Sequence, residues 1–303
     1  MHRPSTLTEL TQLITESAAS GRPLRLVGHG TWLEGGAPAA PAAERVHLDV
    51  FDSIVEYEPG DLTITVGAAT TIAELDAVTA AHRQWCPLAP WGGDAGTVGA
   101  TIATATTGPY AHAMGAPRDL VLGLECVDGN GKVLRPGGKV VKNVAGFDLT
   151  RLMTGAWGSL GAITQVSLRL RALPAVDETW SVAIAGAAST ATDAVTALRR
   201  SHVPPIACEA LEPRIATWLG LSDQAHVLVR IAGNAAYVAA ARAAVAALGA
   251  AKQHELGAWT IVREAPRAAR TPHAMLAPAL RELTARVKRT FDPANILNPG
   301  IMG

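Results

Sequence analysis

The sequence predicts an α+β protein, with two small α/β subdomains over about residues 1–84 and 85–174 and a small ferredoxin-like domain over 175–303. Three observations predict it. The run "AITQVSLRLRAL" alternates strictly, with Val166, Leu168 and Leu170 on one parity and Ser167, Arg169 and Arg171 on the other, which is the pattern of a half-exposed strand. It ends at Pro174, where we place the domain boundary. Beyond Pro174 the periodicities run strand, helix, strand, strand, helix, weak strand, the order of a split β-α-β unit. Before it, short strands are separated by glycine clusters, the longest of them "GGDAGTVGATIATATTG" from Gly92 to Gly108.

The elements follow in chain order. Leu7, Leu10, Leu13 and Ile14 recur at helical spacing after Pro4, and Gly21 supplies a stop. "PLRLVG" reads as a strand ending in "GHGTWL", and the following "EGGAPAAPAAE" as a mobile loop. "VHLDV", "IVEYE" and "LTITVGA" read as strands, the last two joined by the turn "PGD". A helix over about Thr71–His82 brings Ile72, Leu75 and Val78 to one face. Thr97 can cap a short helix carrying Val98 and Ile102, and "LVLGLECVD" with "KVLRP" forms a hairpin around "GNG". In the second domain the strands are expected at Trp180–Ala185, Ile206–Leu211 and His226–Ala232, and the helices at Ala188–Arg200 and Ala235–Leu248. A short helix near Ile215–Leu219 is inserted among them. A last helix turns Leu280, Leu283 and Val287 inward, with Arg286, Lys288 and Arg289 as a solvated basic end.

Composition excludes several function classes. Lys+Arg and Asp+Glu both total 26, so no general affinity for nucleic acid or anionic membrane is expected. Cys86, Cys126 and Cys208 are odd in number, far apart and without a CxxC pair, which argues against a disulfide framework and against an iron–sulfur or zinc cluster. The nine histidines contain no HxH, HxxH or HExxH, so no metal site of sequence-adjacent ligands is expected, which leaves open one assembled from distant residues. No apolar stretch is long enough for a membrane span, and the N-terminus lacks a signal peptide's apolar block. A cytoplasmic protein is expected.

Fourteen of the seventeen residues from Gly92 to Gly108 are Gly, Ala or Thr, too few side chains for catalysis and too little apolar bulk for a core. Bare backbone can serve as a flexible linker or let helices pack tightly, and it suits a third task well. A diphosphate needs several N–H groups converging on it, and Cβ atoms would block their approach. Each amide bonded to a charged oxygen is worth about 1.5–3 kcal/mol, so four or five hold a dinucleotide's charged centre. A helix beginning at Thr97 would add unpaired amides and its dipole. "VGHGT" (Val27–Thr31), "TGPYAHAMG" and "GAWGSLGAIT" are further glycine clusters. Two common phosphate motifs fail. Leu33 occupies the third glycine's place in a GxGxxG, and Gly131-Lys132 and Gly138-Lys139 are each followed by Val, so neither is a Walker A loop.

"GTVGATIAT", "GAPRDLVLG", "KVVKNVAGFDLTRL" and "GSLGAITQVSLRL" resemble the FAD-binding domains of the vanillyl-alcohol-oxidase superfamily, and "VGHGT" is similar to their pyrophosphate loop. "KNVAGFDLTRLMTGAWGSLG" and the terminal "FDPANILNPG" are similar, more narrowly, to FAD-binding subunits of bacterial glycolate oxidases (glycolate dehydrogenases). The resemblance implies a PCMH-type FAD-binding domain over 1–174 and a small ferredoxin-like cap domain over 175–303, whose C-terminal tail returns to the FAD domain. It implies that Gly28, His29, Gly30 and Thr31 offer backbone to the pyrophosphate, with Gly93, Asp94, Gly96, Thr97 and Gly99 opposite. Thr104, Thr107 and Gly108 would lie along the ribityl chain and flavin, Gly158, Gly161 and Ile163 near the adenosine half, and Asn298 where the tail folds back. Phe147 replaces a usual tyrosine and Ile301 a usual basic residue. His29 takes the middle of its loop, whereas relatives with covalent FAD carry histidine at the loop's last glycine position; non-covalent FAD is therefore expected.

Tyr110, His112 and Lys142 are candidate substrate-side groups, weighed against ordinary loop residues. No histidine-rich metal motif is present in the second domain, so the catalytic residues stay unassigned. The resemblance implies an FAD subunit of a glycolate oxidase-type complex, in which glycolate becomes glyoxylate and electrons pass through flavin. A larger catalytic FAD subunit and an iron–sulfur subunit would be its partners, and any membrane contact would come through that complex. Two alternatives stay open: a scaffold subunit with weak or no FAD, and a stand-alone FAD oxidoreductase for another alcohol or hydroxy acid.

Overall fold

In the computed structural model, which describes residues 1–33, 35–36, 40, 42–138, 148–184, 188–265 and 278–301, helix α1 (Leu7–Ser20) begins where the Thr6 side chain accepts from the Glu9 N–H. It ends at Gly21, whose φ of 63° favours glycine. Leu10 and Ile14 pack beneath it on β1 (Leu24–Val27) and β2 (Glu44–His47), which pair in parallel. β3 (Ile54–Glu58) and β4 (Thr63–Gly67) form the expected hairpin around Pro59–Asp61. α2 (Ile72–Ala80) starts at a reciprocal Thr71–Glu74 cap and buries Ile72 and Leu75.

After the two-residue strand β5 (Gln84–Trp85) come three short helices, α3 (Val98–Thr104), α4 (Ala111–Met114) and α5 (Pro117–Leu120). β6 (Val121–Val127) and β7 (Val133–Leu134) then make the "GNG" hairpin. The Asp128 carboxylate holds its turn, accepting from the N–H groups of Asn130 and Lys132, each at 2.9 Å. α6 (Leu149–Met153), β8 (Ala162–Arg169) and β9 (Arg171–Ala172) complete this part.

One antiparallel sheet, β3-β4-β8-β6-β7, carries the main core, with Val166, Leu168 and Leu170 buried as their alternation predicts. This sheet crosses the expected seam at 84/85, because β4 pairs with β8 and sets Val66 opposite Val166. The layer outside it is built from α1, β1 and β2 together with the tail, since Leu24 pairs with Leu297.

The second domain runs β10 (Val176–Ala183), α7 (Ala188–Arg199), β11 (Ala207–Leu211), α8 (Pro213–Trp218), β12 (His226–Gly233), α9 (Ala235–Ala246) and β13 (Ala251–His254). Its antiparallel sheet has the order β11-β12-β10-β13, as a ferredoxin-like unit requires. β10 begins four residues before the predicted Trp180, and the predicted end at Ala185 lies outside the described residues. Five of the eleven residues of "EGGAPAAPAAE", together with Lys142 and Phe147, lie outside them too.

One face of this sheet packs on α7 and α9 through Val182, Val195, Val229 and Val238. The other face meets a helix the sequence reading did not anticipate, α10 (Ala258–Glu264). There Leu211, Leu228, Trp259 and Val262 join Tyr110, Trp85 and Trp91 of the first domain in one apolar cluster.

The last helix, α11 (Pro278–Phe291), corrects two expectations. Leu280 and Leu283 are exposed rather than inward, because the body reaches only Val287 and Phe291 at the helix's C-terminal end. Lys288 is not a solvated base. Its ammonium donates to the carbonyls of Ser159 and Leu297 and to the Asp292 carboxylate, and burial pushes its pKa down.

All three cysteines are free and buried, and burial pushes each thiol up to about 12, which keeps them out of thiolate chemistry. Among the described residues no helix is long and apolar enough to cross a membrane, and no His/Cys/Asp/Glu group could hold a metal ion.

Candidate functional site: a glycine-lined cleft

Strand β1 ends at Val27 and the chain turns through Gly28–Thr31, with Gly30 at a φ of 77°. Among the described residues none of the four N–H groups from Gly28 to Thr31 donates a hydrogen bond. Across from them lies Thr97. A Cβ at Gly28 would stand 3.0 Å from the Thr97 Oγ1, and one at Gly96 would stand 3.7 Å from the Thr31 Oγ1. The two loops therefore face each other at side-chain range where they wall one cleft.

Helix α3 contributes differently from expectation. Its first-turn amides are already paired: Val98 N–H donates to the Thr70 carbonyl, Gly99 N–H to that of Ala68, and Ala100 N–H to the Thr97 Oγ1. They leave nothing for an anion. Gly99 is small for another reason, since its Cβ would fall 2.6 Å from that of Ala68. The free amides lie upstream instead. The carbonyls of Asp94 and Gly96 accept from the Ala73 and Ile72 N–H groups at 3.1 and 3.0 Å, capping α2. In a trans peptide the N–H opposes the C=O, so the amides of Ala95 and Thr97 point away from α2.

Of the residues assigned through the resemblance, Gly28, His29, Gly30, Thr31, Thr97, Gly99, Thr104, Gly158, Gly161, Ile163 and Asn298 line this cleft. Five do not. Gly96 faces Thr31 from just outside, Gly93 and Asp94 turn toward α10, and the Thr107 carbonyl accepts from the Trp91 N–H. Gly108 crosses the backbone at Ala89 so closely that a Cβ there would overlap the Ala89 carbonyl oxygen.

Asn298 holds two walls together. Its Oδ1 accepts from the Leu26 N–H and its Nδ2 donates to the Trp157 carbonyl, both at 2.7 Å. Its φ of 44° is one that asparagine tolerates better than most residues. Asn298→Ala should therefore leave a buried donor and acceptor unpaired and destabilise the fold by about 2–3 kcal/mol. Urea denaturation with and without FAD measures it, and the larger loss is expected in the presence of FAD.

Sequence reasoning missed Arg25, Trp32 and Trp157, which also line the cleft. Arg25 is half-buried and pairs with no carboxylate among the described residues; desolvation first, and Arg45 second, push its pKa down. Trp32 and Trp157 meet edge to face at 6.2 Å. A charge inside the short strand "LRLV" was the available signal for Arg25.

Of the three candidate substrate-side groups, Lys142 is outside the described residues, and the two described ones serve the interface between domains. The Tyr110 hydroxyl accepts from Arg230, whose guanidinium grips Asp177 at 2.9 and 2.6 Å and lies over the rings of Trp85 and Tyr110. His112 donates to the Pro205 carbonyl at 2.9 Å, and burial pushes its pKa down. Arg263 pairs with Asp94. Near them, Asp76 on α2 keeps an accessible surface yet sits in the crook between the domains. Desolvation and then Asp94 push its carboxyl up to about 7, against the opposing pull of Arg263 and Arg230. Solvent at its surface screens these effects.

The donor set fits a diphosphate bearing flat aromatic groups. Unpaired amides and one guanidinium suit the charge, glycines leave room, and Leu26, Val27, Leu33, Leu48 and the two tryptophans supply apolar walls.

Comparison with known proteins agrees with this donor set. Residues 1–137 match the FAD binding domain family, and residues 269–302 match the C-terminal domain of FAD linked oxidases. The glycolate oxidase subunit GlcE of Escherichia coli (strain K12) is 33% identical over 166 residues, covering 54% of this chain and 47% of that protein. The D-lactate dehydrogenase of Archaeoglobus fulgidus is 30% identical over 239 residues, covering 75% of this chain and 52% of that protein. The chain thus spans about half the length of these relatives. Among solved structures, alkyldihydroxyacetonephosphate synthase superposes with a TM-score of 0.69 at 16% identity, covering 86% of this chain and 54% of that one. With both matches in agreement, residues 1–137 belong to the FAD binding domain family and residues 269–302 to the C-terminal domain family of FAD linked oxidases.

Proposed function

We propose that the chain is the FAD-carrying subunit of a glycolate oxidase-type complex. It would hold FAD non-covalently in the cleft between Gly28–Thr31 and Thr97 and serve the oxidation of glycolate, a 2-hydroxy acid, to glyoxylate. The observation that carries this reading is the facing pair of loops with unpaired amides, with Arg25 beside them. When bound, FAD supplies the hydride and electron chemistry. The protein's own residues bind and orient it: amides on the diphosphate, apolar walls against the rings, and Asn298 tying β1 to the Trp157 loop.

A subunit role, beside a larger catalytic flavoprotein and an iron–sulfur partner, is supported by the state of the buried arginines. A complete 2-hydroxy-acid site needs a cation for the substrate carboxylate. Among the described residues Arg230 and Arg263, the buried arginines at the domain interface, are already neutralised by Asp177 and Asp94. A place in the cytoplasm, with membrane contact only through the partners, belongs to the same proposal.

The test is to purify the chain, titrate it with FAD, and follow flavin absorbance on adding glycolate, with and without partner subunits. Saturable binding and bleaching by glycolate only in the reconstituted complex are expected. Bleaching of the isolated chain would favour a stand-alone oxidoreductase, and failure to bind FAD would favour a scaffold. D-lactate run in parallel checks the substrate.

A further inference from the structure

The glycine loop has a support that comes from outside the FAD-binding domain. Gly92 and Gly93 have φ values of 107° and 88°, and neither carries a side chain that could anchor it. Such a segment loses much conformational freedom when fixed, so its order must come from contacts made on it. On one side α2 provides them through the Asp94 and Gly96 carbonyls. On the other side two consecutive residues of α10 provide them. The Arg263 carbonyl accepts from the Gly92 N–H at 2.8 Å, the Arg263 guanidinium pairs with the Asp94 carboxylate, and the Glu264 side chain covers Gly93, whose added Cβ would lie 2.8 Å from the Glu264 Cγ.

Arg263 is only 5% exposed, so its charge depends on Asp94 for compensation. α10 is itself tied to the cap sheet, because Trp259 Nε1 donates to the Thr179 Oγ1 at 3.0 Å and Trp259 and Val262 pack in the interdomain cluster. A continuous run of contacts therefore leads from the cap sheet through α10 and Arg263 to the loop that ends at Thr97, on the wall of the cleft.

We propose that Arg263 of the cap domain is a positioning residue for the cofactor, clamping the Gly92–Asp94 loop so that the Thr97 wall is set before FAD arrives. The proposal rests on the reading of this cleft as the FAD site. Arg263 touches no cofactor. It acts through Asp94 and Gly92, and the coupling is reciprocal: FAD in the cleft stabilises the seating of α10.

The experiment compares Arg263→Gln, Arg263→Lys and Asp94→Asn with the unaltered chain. FAD affinity is taken from flavin fluorescence, apo-protein stability from urea denaturation, and amide hydrogen exchange in α10 is followed with and without FAD. Arg263→Gln is expected to weaken FAD binding about tenfold or more, within the range of site-to-site coupling. Asp94→Asn, at a side chain partly open to solvent, should weaken it comparably and add little to Arg263→Gln in the double variant. Arg263→Lys should recover part of the loss, and FAD should slow exchange in α10 of the unaltered chain but not of Arg263→Gln. If Arg263→Gln does not fold, Asp94→Asn decides. Variants that lose apo stability while binding FAD like the unaltered chain would overturn the clamp, as would exchange in α10 that ignores FAD. Failure of the unaltered chain to bind FAD would instead overturn the reading of the cleft.

Discussion

Asp292→Ala is expected to lower the stability of the folded chain by about 3–5 kcal/mol, the usual consequence of removing one member of a buried ion pair. Asp292 has no exposed surface and its carboxylate accepts three bonds: from the Lys288 ammonium at 2.8 Å, the Ile296 N–H at 3.0 Å and the Leu297 N–H at 2.8 Å. Alanine would leave a largely buried cation without its counter-charge, held only by the Ser159 and Leu297 carbonyls, and two buried amides without their acceptor. The effect should reach the cleft, because those amides start the tail that delivers Asn298 to Leu26 and Trp157. Urea denaturation of the apo-protein measures the stability, and an FAD titration measures the cleft. Asp292→Asn, which keeps the shape and one acceptor oxygen, should cost less than alanine. Equal stability of Asp292→Ala and the unaltered chain would show that the tail is held some other way.

Gly108→Ala is expected to be similarly severe, on the order of 3 kcal/mol or more, at the upper end of the range for overpacking. Its cause is steric. The added methyl would overlap the Ala89 carbonyl oxygen, a backbone atom that no rotamer change can move aside. The chain would have to part where Trp91 N–H meets the Thr107 carbonyl, beside the interdomain cluster of Tyr110, Trp85 and Trp259. Thermal denaturation and near-ultraviolet circular dichroism of these aromatics report the change. Gly60→Ala, where a Cβ meets nothing within 4 Å, is the matched control and should be nearly silent.

Much of the architecture was legible from local pattern. Strict alternation identified β8, apolar helical spacing identified α1 (with its Gly21 stop) and α2, and the split β-α-β order identified the second sheet. The facing loops were legible because missing side chains are themselves a signal. What was not legible is tertiary. Nothing in "VGATIAT" says that the Thr70 and Ala68 carbonyls will occupy the first amides of α3. α10 is only seven residues long with no side-chain cap, so Arg263 gave no local sign of its reach to Asp94. The Leu280, Leu283, Val287 stripe correctly marks one helix face, but periodicity cannot say how far the core extends beneath it. Tyr110 and His112 looked chemical because they are polar groups in loops, and their partners, Arg230 and Pro205, lie far along the chain.

The pairing of Leu24 with Leu297, and of Leu26 with Asn298 at a separation of 272 residues, bears on the order of assembly. The strand that opens onto the cleft leaves the ribosome 272 residues ahead of the segment that closes it. The whole ferredoxin-like unit is synthesised in between. Such long-range closure is slow and leaves β1, already paired with β2, without its tail-side neighbour until that segment has been synthesised. A nascent chain that stalls after β13 would therefore display a folded cap beside an unfinished nucleotide cradle.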